Sequence, residues 1–219
     1  MGDWNDSSEP LAASRGRGEH KRRAILAAAT KSFLKAGFLG ASMDEIAAAS
    51  SASKQTIYKH FGSKEALFVE VVASLTNAAS DAVHGNLPEP ETAEEVADYL
   101  RDYGLRQLKV VLAPRLLQLR RMVIGESSRF PELGQALYDS GPGRAIQAIA
   151  SALERLARRG FLAMDDPAIA AAQFNWLVMG GPVNAAMFLG DGAVPDAAAL
   201  RRHVIEAVRV FLAAYAAVR

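Results

Sequence analysis

Apolar residues recur at steps of three and four along most of the chain, the spacing that puts them on one face of an α-helix. The first such segment runs from Glu19 to Lys35, and the last runs from Asp196 to the C-terminus. Between them, the same pattern predicts helices over residues 43–49, 54–61, 64–83, 92–111, 114–127, 131–140, 142–160 and 167–189. No segment has the convincing period of two that marks a half-buried strand. The pattern therefore predicts an all-α fold of about nine helices, or ten if each of these segments forms a separate helix.

Residues that cap or stop helices agree with these boundaries. Gly37 is expected to end the first helix, because glycine tolerates the backbone conformation of a helix end. Ser42 and Glu45 fit a capping box, and Ser53 and Ser63 are placed to cap the next two helices. Caps and first-turn prolines also precede the later helices: the capping box Thr92–Glu95, then Pro114, Pro131, Pro142, Asp166, Pro167 and Asp196.

The two short helices, 43–49 and 54–61, are separated only by the turn Ser50-Ser51-Ala52. Two short helices joined in this way match a helix-turn-helix, whose second helix can enter the major groove of DNA. Ile57 and Phe61 are four residues apart and are predicted to face inward, against the preceding helix. The opposite face of the second helix is then free to meet DNA.

The residue types on that free face suit DNA recognition. Gln can pair with adenine, Lys with guanine, and a Thr methyl can touch the thymine methyl, so Lys54, Gln55 and Thr56 are candidate base readers. Phosphates can be met by long or hydroxylated side chains and by the amides at capped helix N-termini. The predicted DNA-contacting set is Ser42, Ser53, Lys54, Gln55, Thr56, Tyr58, Lys59, His60 and Lys64.

The charge of the chain is unevenly distributed, although its formal net value is only +1. From Arg15 to Lys64 there are 10 basic and 3 acidic residues, whereas from Glu65 onward 15 basic residues face 18 acidic ones. Such asymmetry indicates a polyanionic partner for the first segment, and the alternative is a merely solvated basic face. Together with the helix-turn-helix, the charge favours DNA.

Composition limits the remaining possibilities. Half of the 219 residues are apolar, enough for a sizeable core, and the absence of cysteine excludes disulfides and thiolate chemistry. The N-terminus lacks the features of a signal peptide, and no segment approaches the ~18 uncharged apolar residues of a membrane span. A cytoplasmic protein without a membrane partner is therefore expected. Residues 1–17 mix Asp, Ser, Gly, Pro and Arg without periodicity and are predicted to be a disordered tail.

Residues from about Lys21 to Val69 resemble the DNA-binding domain of TetR/AcrR-family transcriptional regulators. The matching features are Ile25-Leu-Ala-Ala-Ala, Phe33, Gly37-Phe38, Ser42-Met-Asp-Glu-Ile-Ala and Ser53-Lys-Gln-Thr-Ile-Tyr-Lys-His-Phe-Gly-Ser-Lys-Glu-Ala-Leu-Phe. The resemblance implies that Ser42, Lys54, Gln55, Thr56, Tyr58, Lys59, His60 and Lys64 fall at positions that touch DNA. Met43 is a less usual base reader and is left out of the predicted site.

The segment Leu119–Leu133 resembles a subgroup of AcrR-like C-terminal domains. The expected domains are a helix-turn-helix domain over residues 18–65, and an effector-binding and dimerisation domain over residues 66–219. The resemblance implies a ligand-responsive repressor that binds a palindromic operator in double-stranded DNA as a homodimer. The alternatives are an architectural DNA-binding protein without an effector and a helical enzyme with an appended helix-turn-helix.

The resemblance also implies a small apolar or amphipathic effector within the C-terminal domain. Candidate lining residues, for which plain core packing is the alternative, are Tyr103, Met122, Phe130, Tyr138, Phe174 and Met179. Arg120, Arg121 and Glu126 could be buried partners of an acidic or polar ligand, and for Arg121 and Glu126 the favoured alternative is a surface or structural ion pair. No phosphate loop, nucleophile elbow or metal-ligand spacing is present, so we expect neither an enzyme nor a cofactor or metal ion.

Dimerisation is assigned to the last two helices, which are long and apolar. In the final helix apolar residues form a stripe at helical spacing, and the preceding helix carries a pair of glycines that permits close helix approach. The predicted interface consists of Phe174, Leu177, Val178, Gly181, Leu200, Val204, Val208, Phe211 and Tyr215. The alternative is that this stripe packs on the core of its own subunit.

Overall fold

A computed structural model describes residues 9–84 and 88–217 of the chain, and within them the all-α prediction is confirmed. Where about nine helices were predicted, the described residues form ten α-helices. They are α1 (Glu9–Gly40), α2 (Met43–Ala49), α3 (Lys54–Phe61), α4 (Lys64–His84), α5 (Val96–Val111), α6 (Pro114–Glu126), α7 (Pro131–Tyr138), α8 (Arg144–Arg158), α9 (Pro167–Leu189) and α10 (Ala197–Tyr215). An isolated bridge between Leu162 and Ala216 is the only extended pairing in this part of the chain.

Contacts within the chain divide it into two units, Met1–Val71 and Val72–Arg219. The division falls inside α4, whose first part belongs to the first unit and whose second part belongs to the second. The predicted functional boundary after residue 65 lies in the same helix.

The first helix is longer than its periodicity predicted. It begins at Glu9, so residues 9–17 of the predicted disordered tail are helical here, and residues 1–8 lie outside the described residues. This segment contains Leu and Ala, which favour helix. The predicted stop at Gly37 is confirmed, because its φ of 73° interrupts the helical backbone before a last turn ends at Gly40.

The predicted capping box Thr92–Glu95 is wrong in register. The Glu95 carboxylate accepts the Glu91 N–H at 2.8 Å, and α5 begins only at Val96. Glu95 is therefore the residue before the helix and no part of its first turn. Thr92 lies in an irregular turn that the helical periodicity did not reveal.

The predicted break between α7 and α8 is a π-helical turn instead of a gap. Asp139–Gly143 continue the chain from one helix into the next with the wider i→i+5 spacing. Pro142 lacks an N–H and would clash with an ordinary helical turn, and the wider turn accommodates it. A Cβ on Gly143 would lie 3.1 Å from the Tyr138 carbonyl oxygen, so only glycine fits there without displacement.

An aromatic cluster forms the core of the first unit. The ring of Phe68 lies 4.7 Å from that of Phe33 and 5.2 Å from that of Phe38, and all three rings are buried. Ile25 of α1 and Ile46 of α2 are fully buried in the same unit. The start of α4 thereby packs against the elements that hold the helix-turn-helix.

α4 is the one helix in the described residues that is long and apolar enough to cross a membrane, judged by length and composition alone. Its most apolar 18-residue window has a mean hydropathy of 1.3. Leu67, Phe68 and Val71 in this helix are fully buried within the protein, as in a core helix. A single helix of this kind is weak support for a membrane span.

The second unit has its own core, built mainly by α5, α8, α9 and α10. The predicted dimer stripe lies inside this core. Five of its residues are buried within the chain itself: Phe174, Val178, Val204, Val208 and Phe211. Phe174 meets Phe211 edge-on with 5.1 Å between ring centroids.

The assignment of these five residues to a dimer interface is therefore wrong, because side chains already enclosed by their own subunit cannot meet a partner. Leu177, Leu200 and Tyr215 are half-buried against the same core. Gly181 is the one predicted interface residue that is exposed.

Gly62 offers a test of the turn between α3 and α4. Its φ of 82° is costly for any residue with a side chain, although nothing would crowd an added Cβ. We expect Gly62→Ala to lower the free energy of unfolding by about 1–2 kcal/mol. Gly40→Ala is the control, since Gly40 has no positive φ and its Cβ would make only an ordinary 3.4 Å contact with Ala36. Urea denaturation followed by circular dichroism measures both, and equal losses would contradict the backbone explanation.

Candidate nucleic-acid interface and core cavity

Serines fix the ends of the two short helices. The Ser42 hydroxyl accepts the Asp44 N–H at 3.2 Å, and the Ser53 hydroxyl accepts the Thr56 N–H at 3.1 Å. In a complete capping box the Glu45 carboxylate would also accept the Ser42 N–H. Within the described part of the chain Glu45 forms no such bond, so only the Ser42 half of the box is present. Ser51 takes a positive φ of 51°, which turns the chain between the helices.

The predicted anchoring of α3 is confirmed. Ile57 and Phe61 are buried, and the exposed face carries Lys54, Gln55, Tyr58, Lys59 and His60. Thr56 and Ser42 are half-buried at the edge of this surface. Met43, which was left out of the predicted site, is buried.

Two of the predicted lysines are held by neighbours in the first unit. Lys54 Nζ lies 3.1 Å from the Asp44 carboxylate, which joins the starts of α3 and α2. Lys64 Nζ donates to the Leu39 carbonyl at 3.3 Å and sits 5.0 Å from the Phe38 ring centroid. Of these two cations, Lys54 is the more exposed, and it lies at the N-terminus of α3.

The hydroxyl of Thr56 is also engaged, since its oxygen lies 2.7 Å from the Ser53 hydroxyl. Because the hydroxyl is already bonded, the methyl group is the part of the Thr56 side chain that remains available for a contact. Gln55 is exposed, and nothing in the described residues holds its amide, so among the predicted base readers it has the greatest freedom to pair. Together these side chains form a compact surface of mixed donors at the start of α3.

A basic residue of α1 supports α3 from behind. The Arg22 guanidinium lies 5.2 Å from the Phe61 ring centroid and pairs with the Glu70 carboxylate at 2.8 Å. Arg22 therefore links α1, α3 and α4 within the first unit. Sequence reasoning had no signal for this packing role, because a basic residue beside a helix-turn-helix equally suggests a phosphate contact.

A cavity opens within the second unit, between α4, α5, α6 and α9. The space that protein atoms leave empty between its walls is about 720 Å³, a figure that includes open solvent at the mouth. Its wall is mostly aliphatic, from residues such as Val83, Val110, Leu119 and Val183. The polar residues set into the wall are Thr76, Ser80, His84, Gln107, Arg120 and Asn175.

Only one of the six predicted effector residues, Met179, lines this cavity. Tyr103 stands behind the wall, where its hydroxyl lies 2.8 Å from His84 Nε2. Phe174 belongs to the core, Tyr138 is exposed, and Met122 and Phe130 are half-buried elsewhere. The prediction chose large aromatic residues, and those residues pack the core or its surface instead of the cavity.

Sequence analysis missed Gln107 and Asn175, although a signal for them existed. Each is a polar residue at a position whose helical neighbours are apolar, as in the run Phe174-Asn175-Trp176. Both are almost completely buried, and Gln107 Nε2 donates to Asn175 Oδ1 at 2.8 Å. The expectation for Arg121 is confirmed, because its guanidinium pairs with the Asp191 carboxylate at 2.7 Å.

Burial controls the ionisation of His84 in the cavity wall. Desolvation is the main cause that lowers the pKa of His84 below its ordinary value, which keeps the ring neutral near pH 7. His84 Nδ1 lies 2.7 Å from the Ser80 carbonyl oxygen, an acceptor, so Nδ1 carries the proton. His84 Nε2 then accepts the Tyr103 O–H.

Two family models match most of the chain. Residues 25–71 match the model described as "Bacterial regulatory proteins, tetR family", and residues 98–217 match "AefR-like transcriptional repressor, C-terminal domain". The first match contains α2, α3 and the turn between them, and the second contains most of the cavity wall.

Solved structures resemble the chain over nearly its whole length. A TetR-family transcriptional regulator from Mesorhizobium loti MAFF303099 is 35% identical, with a TM-score of 0.78, over 91% of this chain and 98% of that one. The Flavonoid-responsive Regulator FrrA is 32% identical, with a TM-score of 0.75, over 90% of this chain and 97% of its own.

Among curated proteins, the HTH-type transcriptional repressor NicS from Pseudomonas putida is 34% identical over 97 residues, which are 42% of this chain and 46% of that protein. The chain thus spans about half the length of the curated relatives it matches, with 58% of the Bacillus subtilis regulator YhgD covered. Its match to the solved structures is nearly complete, and both of its units match family models. The chain belongs to the TetR family of bacterial transcriptional regulators.

Proposed function

We propose that the protein is a DNA-binding transcriptional repressor, which binds a palindromic operator as a homodimer and is released by a small-molecule effector. The observation that carries this proposal is the geometry of α3. Its apolar side is buried, so Lys54, Gln55, Tyr58 and Lys59 face outward from a rigid support. Such a helix can enter the major groove with its N-terminus toward base edges. A protein that acts on a bacterial chromosome works in the cytoplasm.

The effector site of this proposal is the cavity of the second unit. It is concave, largely apolar and bordered by a few polar groups, which are the features of a small-molecule site. The name of the similar protein FrrA states that it responds to flavonoids, which supports a ligand response in this group of regulators.

α4 is the element through which an effector would act. Thr76, Ala79, Ser80 and Val83 of its second part line the cavity, and Phe68 of its first part belongs to the aromatic core of the DNA-binding unit. An effector that favours one position of α4 shifts the population of states able to bind the operator.

The dimer surface of this proposal is the exposed face of α9, in place of the buried stripe. Ile169, Trp176 and Phe188 are exposed apolar residues on one side of this helix, and Phe188 is 84% exposed. Gly180 lies between Trp176 and Phe188, and an added Cβ there would meet nothing. Exposed apolar side chains around a small residue suit close approach of a second helix.

Base reading by Gln55 can be tested with a selection from randomised DNA. We expect Gln55→Ala to cost roughly 1–3 kcal/mol of binding to the selected site and to relax preference at one or two positions per half-site. Gln147→Ala is the matched control, because Gln147 is an exposed glutamine on α8. An unchanged selected sequence for Gln55→Ala would exclude a base-reading role.

The ion pair between Lys54 and Asp44 predicts a gain in DNA binding. Asp44→Asn removes a negative charge from the DNA face and frees Lys54 to meet a phosphate, so affinity for random DNA should rise. The slope of log affinity against log salt should steepen by about 0.9. Glu45→Gln removes the same charge from the neighbouring residue without freeing Lys54, and its slope should stay unchanged. A steepening that is equal in both variants would show that Lys54 gains no contact.

The dimer surface can be tested with two charges. Ile169→Glu with Phe188→Glu should give a monomer by light scattering and abolish tight operator binding, because both side chains are exposed and neither supports the core. Tyr138→Glu is the control, since Tyr138 is an exposed aromatic residue on α7. If the double variant remains a dimer, the interface lies on another face.

A further inference from the structure

Most polar groups in the cavity wall are already satisfied by the protein. Thr76 donates its hydroxyl proton to the Val72 carbonyl at 2.7 Å. His84 is bonded at both ring nitrogens, to Ser80 and to Tyr103. These groups do not require a ligand, and two others differ from them.

The first is Gln107, which is only 2% exposed. Its amide nitrogen donates to Asn175, but its carbonyl oxygen Oε1 is buried and has no partner among the described residues. A buried acceptor without a donor loses its hydration and gains nothing in return. Gln107 borders the cavity, so an O–H or N–H group of a bound molecule can supply the missing donor.

The second is Arg120, which lines the cavity from α6. Burial is the cause that lowers the pKa of the Arg120 guanidinium, and no carboxylate in the described residues counters it. An arginine still stays charged in proteins, so the wall carries a cation without a counterion. Its sequence neighbour Arg121 is different, because it pairs with Asp191 outside the cavity.

We infer that the cavity binds an amphipathic organic acid, whose carboxylate meets Arg120 and whose O–H or N–H group donates to Gln107. The aliphatic wall takes the ring or chain that joins these two groups. This inference rests on the proposed role of the cavity as an effector site, and it names the chemical class of that effector.

The same two residues disfavour other ligand classes. A purely apolar ligand would leave both Gln107 and Arg120 without partners and without water. A cationic ligand would bring a second positive charge beside Arg120. A small, fully hydrated anion would leave the aliphatic wall unfilled, so it would gain little from leaving water.

Matched acids and amides test the role of Arg120. The probes are indole-3-carboxylate, indole-3-acetate, indole-3-propionate and indole-3-butyrate, each with its neutral amide, titrated by calorimetry into the full-length protein. At least one acid should bind about tenfold or more tightly than its amide, as a charge-assisted bond requires. Arg120→Met and Arg120→Gln should abolish this preference, whereas Arg115→Met, an exposed arginine on the same helix, should retain it.

The inference is overturned if no acid binds more tightly than its amide, or if the preference survives in both Arg120 variants while they melt as the native protein does. Two substitutions are used because Arg120→Gln keeps donors without charge and Arg120→Met removes both. A preference lost in both variants, with native melting, supports the carboxylate contact.

The role of Gln107 is tested by methylating the indole nitrogen of the best-binding acid, which removes its N–H donor. The methylated acid should bind the native protein about tenfold more weakly. In Gln107→Leu the two acids should bind equally, because the acceptor is gone. A methylation penalty that is the same in Gln107→Leu would show that Gln107 does not receive the donor.

Operator release is measured separately, so the two proposals can fail independently. If an acid binds through Arg120 and Gln107 but leaves operator affinity unchanged, the ligand class stands and release by this site does not. If a molecule releases the operator equally well from the native protein and from the Arg120 and Gln107 variants, the regulatory function stands and this ligand class is wrong.

Discussion

The burial of two side chains, Ile57 and Phe61, is the constraint on which the predicted DNA-binding face depends. A helix of eight residues is too short to be stable alone in water. Packing of Ile57 and Phe61 therefore both forms α3 and determines which of its residues point outward. Arg22 adds to this packing from α1, against Phe61, and is itself held by Glu70 of α4. The direction of Gln55 is thus decided by the core beneath it, so this predicted base reader depends on buried apolar residues on the other face of α3.

The second unit also has a buried apolar core, but one buried polar atom in it lacks a hydrogen-bond partner. Around Phe174 the core is apolar and closely packed, with the Phe211 and Tyr103 rings 5.1 and 6.2 Å away. One side of that core carries Gln107 and Asn175, which share a single hydrogen bond, and the Gln107 Oε1 atom is left without a donor among the described residues. Such a polar pair suits a site whose hydrogen bonding is completed by a ligand, and the unpaired acceptor lowers the stability of the empty form.

Helical periodicity and capping chemistry predicted the boundaries of α2, α3 and α9 well, because these depend on local residues such as Ser53 and Asp166. Periodicity failed where the answer depended on a partner in space. The stripe containing Val204 and Phe211 shows that α10 buries one face, but it does not say whether its own subunit or another copy covers that face. Similarly, spacing could not distinguish aromatic residues in the core from those in the cavity, and the better signal was a lone polar residue, Asn175, within an apolar helix.

The cavity wall and the outer face of α9 are made partly by the same residues. A groove on the outside of α6 and α9 ends at Phe188, and it shares Arg120, Trp176, Met179 and Val183 with the cavity. The layer between the ligand and the proposed dimer surface is therefore about one side chain thick. A ligand that displaced Arg120 or Trp176 would therefore change both the cavity and the groove. Closely packed layers transmit such displacements instead of absorbing them. An effector bound here would consequently act on α4 and on the dimer surface at once, and only the difference in its affinity between the two states of the dimer can release DNA.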